Sequence, residues 1–152
     1  MATHATGTGA GGDDAAIHLE IVTPERRVIS EMVDEVILPG GEGYLGVLPG
    51  HTPLLVRLGI GQVTCRRGGG RRHLALAGGF AEVLAGRVSV LAESAERAEE
   101  IDRDRAQRAR DRALGRLRGG GSEIDFVRAQ VALQKALIRL QVSQGIGPNE
   151  PA

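Results

Sequence analysis

From His18 to about Ala92 apolar and polar residues alternate with a period of two, in short runs broken by Gly and Pro. In GQVTCRR, Val63 and Cys65 alternate with Gln62, Thr64 and Arg66; in GRVSVLAES, Val88 and Val90 flank Ser89. HLEIV, RRVISEMVDEVIL, PLLVRLGI, RRHLALAGG and AEVLAG fill the intervals. Such a period sends alternate side chains to opposite faces of a strand. Many short strands at close turn spacing predict an antiparallel sandwich or barrel. RRGGGRR (66–72) suits a hairpin turn, because Gly accepts positive φ without a steric penalty.

After Ser94 the period changes. Ala98, Ile101, Ala109, Ala113 and Leu117 form a thin apolar stripe at helical spacing, and Glu99–Arg103 and Asp104–Arg108 are predicted ion pairs four residues apart. Gly119 to Gly121 end this helix with a left-handed cap and a tight reversal. Ser122, with Asp125 three residues on, opens a second helix in the manner of a capping box. Its stripe runs through Phe126, Ala129, Leu133, Ala136, Leu137 and Leu140. The predicted organisation is a disordered N-terminal extension (1–16), a β-sandwich domain (17–93), a two-helix hairpin (94–143) and a flexible tail (144–152). The fold class is mainly β plus α.

Charge and composition narrow the chemistry. The 152 residues carry 19 basic and 19 acidic side chains, whereas a dedicated nucleic-acid binder depends on a basic surplus. Aromatic content is 2%, Tyr44, Phe80 and Phe126, which leaves no base-stacking platform. The run EIDRDRAQRARDR (100–112) therefore reads as a solvated helix or an anion site, not a nucleic-acid stripe. The single cysteine, Cys65, excludes an internal disulfide and reads as a small buried apolar residue. No apolar run is long enough to span a membrane, and the first residues lack the charged and apolar regions of a signal peptide. These features predict a cytosolic protein.

GEGYLG (41–46) matches a dinucleotide-binding spacing, but that motif works only where the glycines lead from a strand into a helix. Pro49 and Pro53 oppose a helix here, so the glycines shape a loop between strands. His51 has no nucleophile near it and no second His at ligand spacing, and reads as a turn histidine bonded to backbone. Asp34 and Glu35 point to opposite faces of a strand. No residue set supports catalysis, and no metal site is predicted. On the second helix Arg128, Lys135 and Arg139 are spaced seven and four apart and share one face. This basic ridge faces solvent, an anion or an acidic protein surface.

Three stretches in order, LEIVTPERRVISEMVDEVILPGGEGYLGVLPGHTPLL, LALAGGFAEVLAGRVSVLAESAERAEEIDRDRA and DFVRAQVALQKALIRLQV, resemble the ε subunit of the rotary F-type ATP synthase of bacteria, from about Ile17 to Val142. The resemblance implies a ten-stranded β-sandwich followed by a helical hairpin. It implies a non-enzymatic central-stalk subunit of a proton-translocating synthase, with the γ subunit, the c-subunit ring and the α/β catalytic head as partners. It places the chain peripherally on the cytoplasmic face of the plasma membrane, with membrane contact only through the complex. The hairpin folded on the sandwich permits ATP hydrolysis, and extended into the head it blocks it.

No cofactor is required, but ATP is a regulatory ligand of some relatives. Their motif is met by Ile101, Asp102, Arg105 and Ala106, with Glu96 before it, Arg112 after it, and Lys135 and Arg139 on the second helix. The relatives that bind ATP carry Arg at the position of Lys135, so here the charge is kept and the bidentate fork lost. Arg128, Lys135 and Arg139 are the implied contacts to an acidic loop of the β subunit. The loop with Glu42, Tyr44 and His51 is the implied contact to the membrane ring and stalk, and Tyr44 stands where relatives often have an acid. The reading from a different class is a stand-alone β-sandwich nucleotide sensor without a rotary partner.

Overall fold

A computed structural model describes residues 16–148; the rest of the predicted N-terminal extension and the last residues of the tail lie outside the described residues. Seven strands come first: β1 (Ile17–Val22), β2 (Arg27–Val33), β3 (Glu35–Gly40), β4 (Gly43–Val47), β5 (Leu54–Arg67), β6 (Gly70–Leu84) and β7 (Arg87–Arg97). A 3₁₀ turn (Ala98–Glu100) then leads to α1 (Arg103–Arg118) and α2 (Glu123–Ser143). The strands form one hydrogen-bonded order, β2-β1-β7-β6-β5-β3-β4, antiparallel except for β1 beside β7. That parallel pair joins the first and last strands, so all the intervening chain serves as the long crossover it needs.

Where ten strands are implied, seven are found. The reason is length: β5, β6 and β7 run for 14, 15 and 11 residues. Their pairing is interrupted along one line, where Gly59, Gly78 and Glu93 fall between paired neighbours. Gly78 and Gly79 have φ of 68° and 121°. A Cβ on Gly79 would collide with the Leu91 carbonyl, so only glycine fits this corner. Strands that bend in this way pass from one layer of a sandwich to the other. One core results, filled by Ile17, Leu19, Ile21, Val36, Leu38, Val63, Leu74, Val88 and their neighbours, with Cys65 buried among them as expected. β2 and β5 are not sheet neighbours, yet they touch across this core.

The helical pattern expected from Ser94 onward starts later than predicted. Ser94, Ala95, Glu96 and Arg97 all pair with β6, so the boundary at 93/94 falls inside β7. AESAERAEE has high helix propensity, but cross-strand pairing outweighs propensity at a sheet's end. α1 opens on Asp102, whose carboxylate accepts the Arg105 N–H at 3.0 Å. It closes on Gly119 in right-handed conformation; the left-handed residues of the reversal are Gly120 and Gly121. Ser122 caps α2 as expected, accepting the Asp125 N–H at 3.2 Å. The predicted Glu99–Arg103 and Asp104–Arg108 pairs are not formed: the 3₁₀ turn removes Glu99 from the helix, and Asp104 and Arg108 are each left exposed to solvent.

The hairpin closes through alanines, Ala106 and Ala113 on α1 with Ala129 and Ala136 on α2, all buried. Phe126 and Leu137, placed on the stripe by periodicity, remain 50% and 46% exposed. A seam this narrow has no room for them. α2 then lies on β5 and β6 through a small cluster of Ala75, Ile101 and Val142, flanked by Ala98 and Ile138.

Candidate functional site

A cleft of about 420 Å³ opens where sandwich, turn and hairpin meet, lined by Glu96, Glu100, Asp102, Arg105, Ala106, Ala109, Arg112 and Arg139. Each arrives by a different route. Glu96 is near the end of β7, held by pairing with Ala75. Glu100 closes the 3₁₀ turn, and Asp102 is fixed as the cap of α1. Arg105, Ala109 and Arg112 follow at four- and seven-residue intervals, which places them on one face of α1. Arg139 reaches in from α2, its Nε donating to Glu96 Oε1 at 2.7 Å.

Of the predicted ligand residues, Glu96, Asp102, Arg105, Ala106, Arg112 and Arg139 are brought together here. Two are not. Ile101 is buried behind the wall, in the cluster under α2. Lys135 stands one helical turn from Arg139 in a narrow crevice with Ile138, Ser94 and Glu96. The ridge expected to face solvent or a partner is divided: Arg128 is exposed, while Lys135 and Arg139 are half-buried against the sheet. Helical spacing identified their common face, but the acid that turns Arg139 inward lies on β7.

The cleft is charge-balanced, with three carboxylates facing three guanidiniums. Among the described residues neither Arg105 nor Arg112 forms an ion pair, so these two are the cations open to an anion. Glu100 was missed from sequence. Its carboxyl is lowered from 4.5 to about 2, first by the Arg26 guanidinium that binds it and then by the Arg97 backbone N–H. Its position just before Ile101 and Asp102 was the available signal; its partner Arg26, 74 positions away, gave none. Among the described residues the wall holds no hydroxyl, thiol or imidazole. Its chemistry is recognition: guanidiniums for anionic oxygens, carboxylates for amine or hydroxyl donors, and the Ala106 and Ala109 methyls for an apolar face.

The predicted contact loop lies at the far end of the sandwich. Glu42 is exposed in the β3–β4 turn, and Tyr44 on β4 accepts the Gln62 N–H at 3.2 Å. They share an open concavity with Leu54 and Leu55. His51 is outside it, its Nδ1 2.6 Å from the Thr52 carbonyl, the backbone-bonded turn histidine expected. GEGYLG forms the β3–β4 turn and most of β4, with no helix after it. Among the described residues no His, Cys, Asp and Glu cluster is arranged to hold a metal, and no helix is long and apolar enough to cross a membrane.

Two family models match in succession: the ATP synthase delta/epsilon chain β-sandwich domain over residues 16–98, and the delta/epsilon chain long α-helix domain over 99–144. An ATP synthase epsilon chain of Nitratidesulfovibrio vulgaris is 53% identical over 129 residues, 85% of this chain and 96% of that one. One of Moorella thermoacetica is 47% identical over 133 residues, 87% and 99% of the two chains. Among solved structures, a chain of the Euglena gracilis mitochondrial ATP synthase, determined with its c-ring, superposes with a TM-score of 0.75 at 26% identity, covering 90% of this chain and 86% of that one.

Proposed function

The chain belongs to the delta/epsilon family of ATP synthase chains, and we propose that it is the epsilon subunit of the central stalk and regulates ATP hydrolysis through its helical hairpin, with ATP as the ligand of the cleft. In this reading the sandwich grips the γ subunit and rests on the c-subunit ring through the loop at Glu42, Tyr44 and His51. The chain then lies peripherally at the cytoplasmic face of a bacterial membrane in a proton-driven synthase. The hairpin folded on the sandwich leaves hydrolysis free. Lifted into the α/β head it blocks hydrolysis, and Arg128, Lys135 and Arg139 then meet an acidic surface.

The observation that carries this reading is the cleft itself, because its walls come from the sheet, the turn and both helices. A ligand that bridges these elements stabilises the docked state. At a hundred times its dissociation constant it adds about 2.7 kcal/mol. The docking cluster is small, so an increment of that size decides which hairpin state prevails.

ATP titration of the isolated chain tests the ligand. Saturable binding that weakens in Asp102→Asn, which keeps the helix cap, and in Arg112→Ala is expected. No saturation at several millimolar, or unchanged affinity in both variants, refutes it. The ATPase rate of the purified head tests the hairpin, using the full chain and one truncated after Glu100. A cut near Glu93 would remove residues that complete β7. The full chain should inhibit and the truncated one should bind without inhibiting; equal inhibition by both refutes the regulatory role.

A further inference from the structure

Glu100 in the cleft wall is bound by a residue that does not line the cleft, Arg26. Arg26 stands in the turn between β1 and β2, where the Thr23 N–H donates to the Arg26 carbonyl at 2.9 Å and Thr23 Oγ1 accepts the Arg26 N–H at 3.3 Å. From this closed turn its guanidinium makes two parallel bonds to Glu100, Nη1 to Oε1 at 2.8 Å and Nη2 to Oε2 at 2.6 Å. Glu100 Oε2 also accepts the Arg97 N–H at 3.1 Å, and the Arg97 guanidinium donates to the Val28 carbonyl. The last residue of the 3₁₀ turn is thus held to the sandwich by the β1–β2 turn and by the end of β7. Beyond it Ile101 and Asp102 are extended, with ψ of 121° and 102°, before α1 begins.

We propose that Arg26 is a positioning residue for the cleft: by gripping Glu100 it fixes the Ala98–Glu100 turn to the sandwich, sets Asp102 at the cleft rim, and leaves Ile101–Asp102 as the pivot of the hairpin. The hinge then begins after Glu100, not where β7 ends. The paired fork is specific to arginine, since lysine offers a single charged point without the planar geometry. With Glu100 held at about pKa 2, the grip persists throughout the neutral range. The effect on ligand rests on the nucleotide reading of the cleft; the grip itself does not.

Amide hydrogen exchange on the full chain without ligand, followed by ATP titration, tests it. Arg26→Ala should speed exchange at the Arg97 and Ile101 amides by about tenfold, the loss of a charge-assisted bond, and leave Val88 and Val90 unchanged. Arg26→Lys should fall between. The exchange of charges in Arg26→Glu with Glu100→Arg should restore slow exchange at Ile101, whose N–H donates to the Ala98 carbonyl; a merely damaged turn would not recover it. The Arg97 N–H loses its acceptor in that chain and is left out of the comparison. In Arg26→Ala the ATP dissociation constant should rise severalfold. Unchanged exchange at Arg97 and Ile101 in Arg26→Ala, or a charge-swapped chain that exchanges Ile101 as fast as Arg26→Ala, overturns the grip. Faster exchange with unaltered ATP affinity overturns the positioning role. A wild-type chain that binds no ATP defeats the nucleotide reading, and the ligand-free exchange still decides the grip.

Discussion

Val142→Ala should release the hairpin from the sheet while leaving both folded. Val142 is fully buried at the C-terminal end of α2 and packs with Ala75 and Ile101, the small cluster through which the helix docks. The substitution deletes two carbons, each contributing about 0.8 kcal/mol of burial. The sheet beneath cannot collapse into the space, so a cavity term raises the loss to roughly 2 kcal/mol. That corresponds to about a thirtyfold shift toward the undocked state. Hydrogen exchange of the amides around Ile138 and Val142 reads the shift directly, since exchange through local opening scales with the opening equilibrium. Leu137→Ala is the control: the residue is on the same helix but 46% exposed, so its effect should stay within about 0.5 kcal/mol. Equal acceleration by both variants would mean that Val142 does not anchor the helix. Acceleration spreading to the sandwich core would mean that hairpin and sandwich unfold as one unit, and would refute the separation of docking from folding.

Ser122→Ala should cost about 1 kcal/mol by leaving the Asp125 N–H without its cap, read as lower helical ellipticity and an earlier hairpin transition, whereas Ser122→Asp should preserve both. Glu100 gives a pH dependence of definite sign. Its folded value lies below its ordinary one, so its contribution is present above about 4.5 and is lost as pH falls toward about 2. Melting temperatures of wild type and Glu100→Gln should therefore differ at neutral pH and converge at the acid end; a constant gap throughout would refute the assignment.

The strands were legible because alternation along each one is set by local geometry, and Val63, Cys65, Val88 and Val90 face inward as the pattern required. The end of β7 was not, because Ser94 to Arg97 are extended only through their partners on β6, which local propensity does not contain. The cleft was partly legible for the same reason. Asp102, Arg105, Ala106 and Arg112 share one local run whose helical spacing fixes their common face. Helical spacing puts Arg139 on one face of α2 with Arg128 and Lys135, but its turn toward Glu96 is a contact across 43 positions. Arg26 and Glu100 are joined across 74, and neither residue carries a local sign of the other.

If the cleft regulates as proposed, its composition determines which contacts can do so. Among the described residues Arg105 and Arg112 are the cations of the cleft without an ion pair, separated by about 10 Å along the helix axis. At that distance, and exposed to water, their repulsion is only about 0.4 kcal/mol. Relief of that repulsion is too small to drive a conformational change. An anion held by α1 alone, through Asp102, Arg105 and Arg112, would bind the docked and lifted hairpins equally and shift neither. The differential contacts are those that exist only when the elements meet, Glu96 and Glu100 from the sandwich side and Arg139 from α2. Arg139 pairs with Glu96 at 2.7 Å, and in the proposed switch it is the most consequential of these, since lifting would free it to join Arg128 and Lys135. On the proposed reading, α1 supplies affinity for the ligand, and the switching depends on the three residues that α1 does not own.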